Sequence, residues 1–496
     1  MIDKIYEITT TFLNSREKKE RKQIGQFFTS IETAAFMASL FEIPSKDTLS
    51  ILDPGAGTGI LTAALVDRLQ TVPGLKNIHV TCYENDPTII PILNASLDLM
   101  KEQSIVPLSY TIIQKNYILS QFDDFNLTFN YNSDSKKYDL VIGNPPYKKI
   151  PKDAPEAKAM QEVCHGAPNL YFLFSAMSLF NLIDEGQLVY IIPRSWTSGA
   201  YFRSFREYLL KNGVIDHIHL FESRDKVFDN EKVLQETIII KLRKTHIEPS
   251  TISISTSNGN SDFHSIETLR VPYSTVVSSI NSYIFLFSSK RDLLVIKKLS
   301  KFKFNLLSLN MKMKTGLTVD FRCKEELSDT KGEGFVPLFY PAHLQSGRVK
   351  FPIGRSLEFI DSSKPALVQA NRNYLFVKRF TSKEEKRRLQ CSVYLAEDFP
   401  DYQYISTQNK LNFIDSFNSS GLEISEVYGL YVIFNSSIYD EYYRILNGST
   451  QVNSTEINTL PLPSISTIQR LGELLKQSKD LSVYNCDKLL EEVLYE

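Results

Sequence analysis

Residues 49–70 read LSILDPGAGTGILTAALVDRLQ, and this stretch decides the fold. Leu49 to Leu52 form a short apolar strand, Asp53-Pro-Gly-Ala-Gly-Thr-Gly59 a glycine turn, and Ile60 onward the pattern of a helix. Glycine permits a tight turn and lets backbone N–H groups approach a ligand at the helix N-terminus. Taken alone, the turn would equally suit a dinucleotide. Working outward, a strand at 78–83 (IHVTCY) closes on Glu84-Asn85-Asp86 and is followed by a helix over about 88–101. Strands follow near 109–114 and 138–142, a helix over about 169–183, a strand at 187–193, a helix at 201–212, and strands at 215–221 and 233–243. Helical patterns at 1–24 and 31–43 precede the glycine turn. Strand, turn and helix in alternation predict a doubly wound α/β domain, its sheet mostly parallel and covered by helices on both faces. The last strands predict an antiparallel addition at one edge.

With 496 residues the chain is too long for one ordinary domain. Beyond Lys244 the alternation stops: Ser and Thr crowd 250–280, and short strand-like runs follow, such as YLFVKRF, VYLAEDF and GLYVIF. Two domains are predicted, 1–244 and 245–496, the second α+β. Hydrophobic residues at 42% can fill a large core, and a formal net charge of -1 gives no chain-wide positive field, though a local basic stripe fits within such a total. Cysteines 82, 164, 323, 391 and 486 are odd in number and form no CxxC pair, which argues against a disulfide framework or zinc ribbon and for a reducing cytoplasm. His343 and Cys164-His165 lack metal-ligand spacing, so no metal is expected. The charged N-terminus has no signal-peptide core, and no apolar run reaches about 18 residues, so neither a leader nor a transmembrane helix is expected.

Glu84, at the end of the second strand, is placed to accept both hydroxyls of a ribose. Asn116-Tyr117, after the third strand, offers an amide and an aromatic ring to an adenine. The decisive motif is Asn144-Pro-Pro-Tyr147 after the strand YDLVIG. An exocyclic amine on a planar ring is a poor nucleophile, because its lone pair is delocalised. Two acceptors that take its two N–H bonds favour the pyramidal form; here they are the Asn144 side-chain oxygen and the Pro145 carbonyl. Pro145 and Pro146 stiffen the loop, and Tyr147 offers a face on which a planar base can stack.

In this order the motifs resemble the gamma-class adenine-N6 DNA methyltransferases of type II restriction–modification systems. The resemblance covers residues 20–240 well and the remainder only in patches. Gly25-Gln-Phe-Phe-Thr29 resembles the segment that closes over the methionine part of the cofactor in that class. Asn169-Leu-Tyr-Phe-Leu-Phe174 resembles its helix after the catalytic loop, and Val227-Phe-Asp-Asn-Glu-Lys-Val-Leu-Gln-Glu-Thr237 the segment whose aromatic closes on the target base. The resemblance implies a seven-stranded methyltransferase sheet that binds S-adenosyl-L-methionine through Thr29, Asp53, Gly55, Gly57, Gly59, Glu84, Asn116, Tyr117 and Phe174. It further implies duplex DNA as partner, a target adenine flipped between Tyr147 and Phe228, a separately encoded endonuclease, and a second domain that recognises the DNA sequence. Where many members carry Asp for the cofactor amino group, this chain has Asn116. DNA contacts are expected from Lys312, Lys314, Lys378, Arg379, Lys386, Arg387 and Arg388. Two alternatives share these motifs: an amine methyltransferase for RNA or protein glutamine, and a catalytically silent DNA-binding module.

Overall fold

Strand β1 (Thr48–Pro54) runs parallel to β2 (Asn77–Tyr83) on one side and to β4 (Tyr138–Gly143) on the other. This computed structural model describes residues 1–14, 29–126, 137–164, 166–222, 236–382, 384–447 and 449–495. Beyond β2 lies β3 (Leu108–Ile113), and beyond β4 lies β5 (Leu182–Pro193), all parallel. β7 (Thr237–Arg243) is antiparallel to both β5 and β6 (Val214–Phe221). The sheet continues through β8 (Thr251–Ser257), parallel to β6, to an antiparallel edge strand β9 (Glu267–Pro272). The order is 3-2-1-4-5-7-6-8-9, so the expected seven strands carry two more.

Alternation along the strands sends apolar side chains to both faces. Ile51, Val80, Ile142, Val189 and Ile191 join one core with helices α1 (Ile2–Asn14), α2 (Ile31–Ser39), α3 (Ile60–Leu69) and α4 (Ile90–Gln103). On the opposite face Tyr190 meets α5 (Leu170–Asn181), its hydroxyl 2.6 Å from the Ser178 hydroxyl. Phe172 of α5 stacks on Phe205 of α6 (Arg203–Asn212), with ring centroids 4.8 Å apart. The expected helix over 1–24 is seen as far as Asn14, and residues 15–28 lie outside the described ones.

The chain divides into two compact units, Met1–Ser288 and Ser289–Glu496. The boundary expected near 245 therefore falls too early. The Ser/Thr-rich stretch is itself strand: Ile252 and Ile254 are buried on one side of β8, while the Ser255 and Ser257 hydroxyls hydrogen-bond the two ring nitrogens of His219 on the other. The segment after β9 is pinned as well, because the buried Arg206 guanidinium donates to the Asn281 carbonyl at 3.0 Å and the Ile284 N–H to the Thr197 carbonyl at 2.9 Å.

The second unit is α+β, with a six-stranded and a five-stranded sheet among the described residues. Tyr374–Lys378 sits inside the larger sheet between Leu411–Ser416 and Cys391–Tyr394. GLYVIF, expected as a strand, belongs instead to helix α8 (Ile424–Asn435; α7 is Lys290–Leu299). That helix is buried on all sides, and a short apolar run cannot separate this case from a buried strand. Its Gly429 lets the backbone of Ile465–Ser478 cross in contact; a Cβ there would collide with the Ile468 carbonyl.

Two expectations arise from this packing. A Cβ on Gly143 would lie 2.7 Å from Cε1 of Tyr190, a ring already held between β5 and α5. Gly143→Ala is expected to lower the thermal midpoint by several degrees and to displace the loop that begins at Asn144; an unchanged midpoint in a calorimetric scan would refute the clash. Burial holds His217 down at about 4, with the Lys241 charge adding to the effect, and His219 down at about 3, with His217 adding. Both stay neutral in the fold while the unfolded chain protonates near 6.5, so stability present above pH 6.5 is lost as pH falls toward 4. At pH 5 the loss is roughly 2 kcal/mol per histidine. Urea midpoints at pH 7.5 and 5 should differ less in a His217→Asn, His219→Gln variant than in the parent chain.

Candidate active site

The turn after β1 is left-handed at each glycine, with φ of 74° at Gly55, 56° at Gly57 and 88° at Gly59. Gly55 and Ala56 donate to the Tyr83 carbonyl at 2.8 and 2.9 Å, which ties the turn to the end of β2. The three glycines differ in purpose. A Cβ on Gly57 would meet nothing within 4 Å, so this position opens to the cavity. A Cβ on Gly59 would sit 3.2 Å from Leu93, so this glycine serves the packing of α3 on α4. Asp53 lies beneath the turn, away from the cavity wall, and accepts from the Thr62 hydroxyl at 2.6 Å. Its other oxygen is buried with no partner among the described residues. Burial pushes the Asp53 carboxyl up to about 7, and the nearby Glu84 charge adds to the shift.

Glu84 is buried at the end of β2 and accepts three backbone N–H groups: Gly57 at 3.0 Å, Asn85 at 2.8 Å and Asp86 at 2.9 Å. Burial raises its carboxyl, and the three N–H donors oppose that shift. Asn116 and Tyr117 follow β3. The Asn116 oxygen accepts from the N–H groups of Ile118 and Leu119, both at 3.0 Å, and its amide donates to Glu156 at 2.8 Å. The expected direct acceptor at Asn116 is thus already occupied by a turn of its own chain. Tyr117 is core wall more than open platform: its hydroxyl donates to Asn181 at 2.7 Å, and its ring lies 4.9 Å from Tyr83 and 5.2 Å from Phe174.

Asn144 leaves the end of β4, and its amide donates to the Thr29 hydroxyl at 3.2 Å. Pro145 is buried, Pro146 faces the cavity, and the Tyr147 hydroxyl donates to the Ile191 carbonyl at 3.0 Å. The Tyr147 ring meets Tyr171 edge-on at 6.2 Å. A cavity of about 390 Å³ unites these parts, its wall including Thr29, Gly57, Glu84, Asn116, Asn144 and Phe174. Asp53, Gly59, Pro145 and Tyr147 are not among its lining residues, and Phe228 lies outside the described residues. The sequence reading missed Glu156 and Lys148, which also line it. The cavity opens where strand order reverses, between β1 and β4, the place where open parallel sheets bind ligands.

In the second unit the basic cluster is largely internal. Arg388 is buried and donates to Thr381, Asn447 and the Ser449 carbonyl, so it cannot reach a phosphate. Arg387 donates to the carbonyls of Phe434 and Ser436, at the end of α8. Arg379 donates to the Asn409 carbonyl, Lys378 pairs with Glu385, and Lys314 pairs with Asp415. Lys312 and Lys386 are exposed.

Residues 78–228 match the family model described as Eco57I restriction-modification methylase. The chain is 36% identical over 96% of its length, and 95% of the relative, to the type II methyltransferase M.BsuBI of Bacillus subtilis. It is 34% identical over 95% of its length, and 92% of the relative, to the type II methyltransferase M.PstI of Providencia stuartii. The type IIL restriction–modification enzyme MmeI, solved with DNA, shares the fold at 12% identity and a TM-score of 0.51, over 99% of this chain and 73% of that one. Identity of this degree, carried through both units, makes the chain a member of the type II DNA methyltransferases of restriction–modification systems.

Proposed function

We propose that this protein transfers a methyl group from S-adenosyl-L-methionine to the exocyclic N6 amine of adenine in duplex DNA, as the modification component of a restriction–modification system. The reading rests above all on one observation: the Asn144-Pro-Pro-Tyr147 loop and the glycine turn meet in a single cavity. Its 390 Å³ falls within the roughly 300–1,000 Å³ usual for ligand pockets. The open space over Gly57 and the buried Glu84 carboxylate fit a nucleoside, and the sheet is wide enough: β3 and β4 stand three strand spacings apart, roughly 14 Å.

When bound, the cofactor supplies an electrophilic methyl on a sulfonium. This chain's own residues prepare the acceptor. Thr29 takes the amide nitrogen of Asn144, which turns the carboxamide so that its oxygen end can accept from the target amine. The Pro145 carbonyl takes the second N–H, and the amine is held pyramidal with its lone pair toward the methyl. Tyr147, whose hydroxyl is held by the Ile191 carbonyl, lies outside the cavity lining and would offer its ring face to the flipped base beside it. A base inside a duplex cannot reach this loop and must be flipped out, at a cost of a few kcal/mol that contacts elsewhere on the DNA offset. The second unit is proposed to supply those contacts, with Lys312 and Lys386 the exposed members of the basic set.

Incubating the purified chain with methyl-labelled cofactor and duplex DNA, RNA or protein tests the assignment. N6-methyladenine in duplex DNA is the expected product; label only in RNA, in protein or on cytosine would overturn it. Asn144→Ala is expected to lose at least about tenfold in turnover, since a transition-state hydrogen bond is worth more than about 1.4 kcal/mol. Single-turnover rates check this, and an undiminished rate removes Asn144 from the role.

A further inference from the structure

Two carboxylates line the cavity among the described residues, Glu84 and Glu156. They are not equivalent. The Glu84 oxygens already take three backbone N–H groups and hold the end of β2 against the glycine turn. Glu156 comes from the segment that follows the Asn-Pro-Pro-Tyr loop, and its Oε1 accepts from the Asn116 amide at 2.8 Å. Asn116 is fixed in turn, because its own oxygen accepts from Ile118 and Leu119. The amide therefore acts as a strut that points a carboxylate, and the carboxylate is the acceptor presented at this wall. The same cavity is lined by Phe174, Ile150 and Leu170, flat or aliphatic surfaces suited to a planar heterocycle. The segment carrying Glu156 is itself anchored: the Ile150 N–H donates to the Pro168 carbonyl and the Leu170 N–H to the Lys148 carbonyl, both at 2.8 Å.

We propose that Glu156, oriented by Asn116, accepts a hydrogen bond from the exocyclic amine of the cofactor's purine ring and so selects an amino-purine over an oxo-purine nucleoside. The assignment rests on the cofactor reading above. A carboxylate gives a charge-assisted bond to an N–H, but meets a ring carbonyl as a second acceptor with no proton between them. Sites built around such a bond discriminate strongly, since the wrong ligand leaves a desolvated acceptor unpaired. Asn116 acts through Glu156 and is a positioning residue.

Calorimetric titration of the full chain with S-adenosyl-L-homocysteine and with its inosine counterpart tests this. The parent chain should prefer the amino ligand by at least about tenfold in Kd. In Glu156→Gln the side chain can offer an N–H to the ring carbonyl, so the preference should fall several-fold or reverse while the thermal midpoint stays within a few degrees. Asn116→Ala should lower the preference as well. Equal weakening of both ligands in Glu156→Gln, or an unchanged ratio, would overturn the assignment. Binding by the parent chain without discrimination overturns it alone; binding of neither ligand overturns the cofactor reading and this assignment with it.

Discussion

Everything at this site depends on the reversal of strand order at β1. β1 leads to β2 on one side and β4 on the other, so the connections leaving β1 and β4 depart toward opposite faces of the sheet. A crevice opens above the carboxyl ends because no crossover helix can cover that point. The glycine turn fills one lip and the Asn-Pro-Pro loop the other, and the Asn144–Thr29 hydrogen bond links the loop to the segment entering α2. This adjacency is what brings both motifs to one cavity, and the proposed function needs both. β1 and β4 pair in parallel through a short ladder, Ile51 to Leu140 and Leu52 to Val141, just before the two loops begin.

Burial of two acids at the crevice carries an electrostatic cost. Asp53 is raised to about 7 by burial, and Glu84 is raised by burial against three N–H donors. A carboxyl raised in the fold stabilises below its ordinary value and loses that contribution as pH climbs through the folded one. The interior at this turn therefore disfavours the charged form of both acids. The Thr62 hydroxyl and the Glu84-directed N–H groups keep the acids in position meanwhile.

The legible parts of the molecule are those whose chemistry is written in consecutive residues. A strand followed by Gly-x-Gly-x-Gly, and Asn-Pro-Pro-aromatic after another, specify local backbone and were readable at once. The place of Glu84 on the cavity wall is legible from its position at a strand end. What escaped depends on partners remote in sequence. Glu156 lies 40 positions from Asn116, and nothing near it signals a cavity. Arg388 sits in a run that looks like a solvated charged face, yet it meets Asn447, 59 positions away, in the core. The early boundary has a different cause. Frequent Ser and Thr suggest a change of texture, whereas in Thr251–Ser257 they alternate with isoleucine, and such alternation marks a strand with one polar face.

One chemical distinction unites the two amine-binding positions assigned to this loop. Asn144 would face an amine about to receive a methyl cation, and a carboxylate there would itself compete for that methyl. An amide oxygen accepts the N–H without that side reaction. Glu156 would face an amine that must only be recognised, and its strut, Asn116, follows β3, at the edge of the sheet. At that distance from the end of β4 a full negative charge is harmless, and it gives the stronger bond. Both side chains lie on one segment, residues 144 to 156, anchored to the start of α5 through Lys148 and Leu170. On this reading a nucleoside held by Glu156 would rest on the same anchored segment that presents Asn144, which would couple recognition of the cofactor to the placing of the acceptor amine.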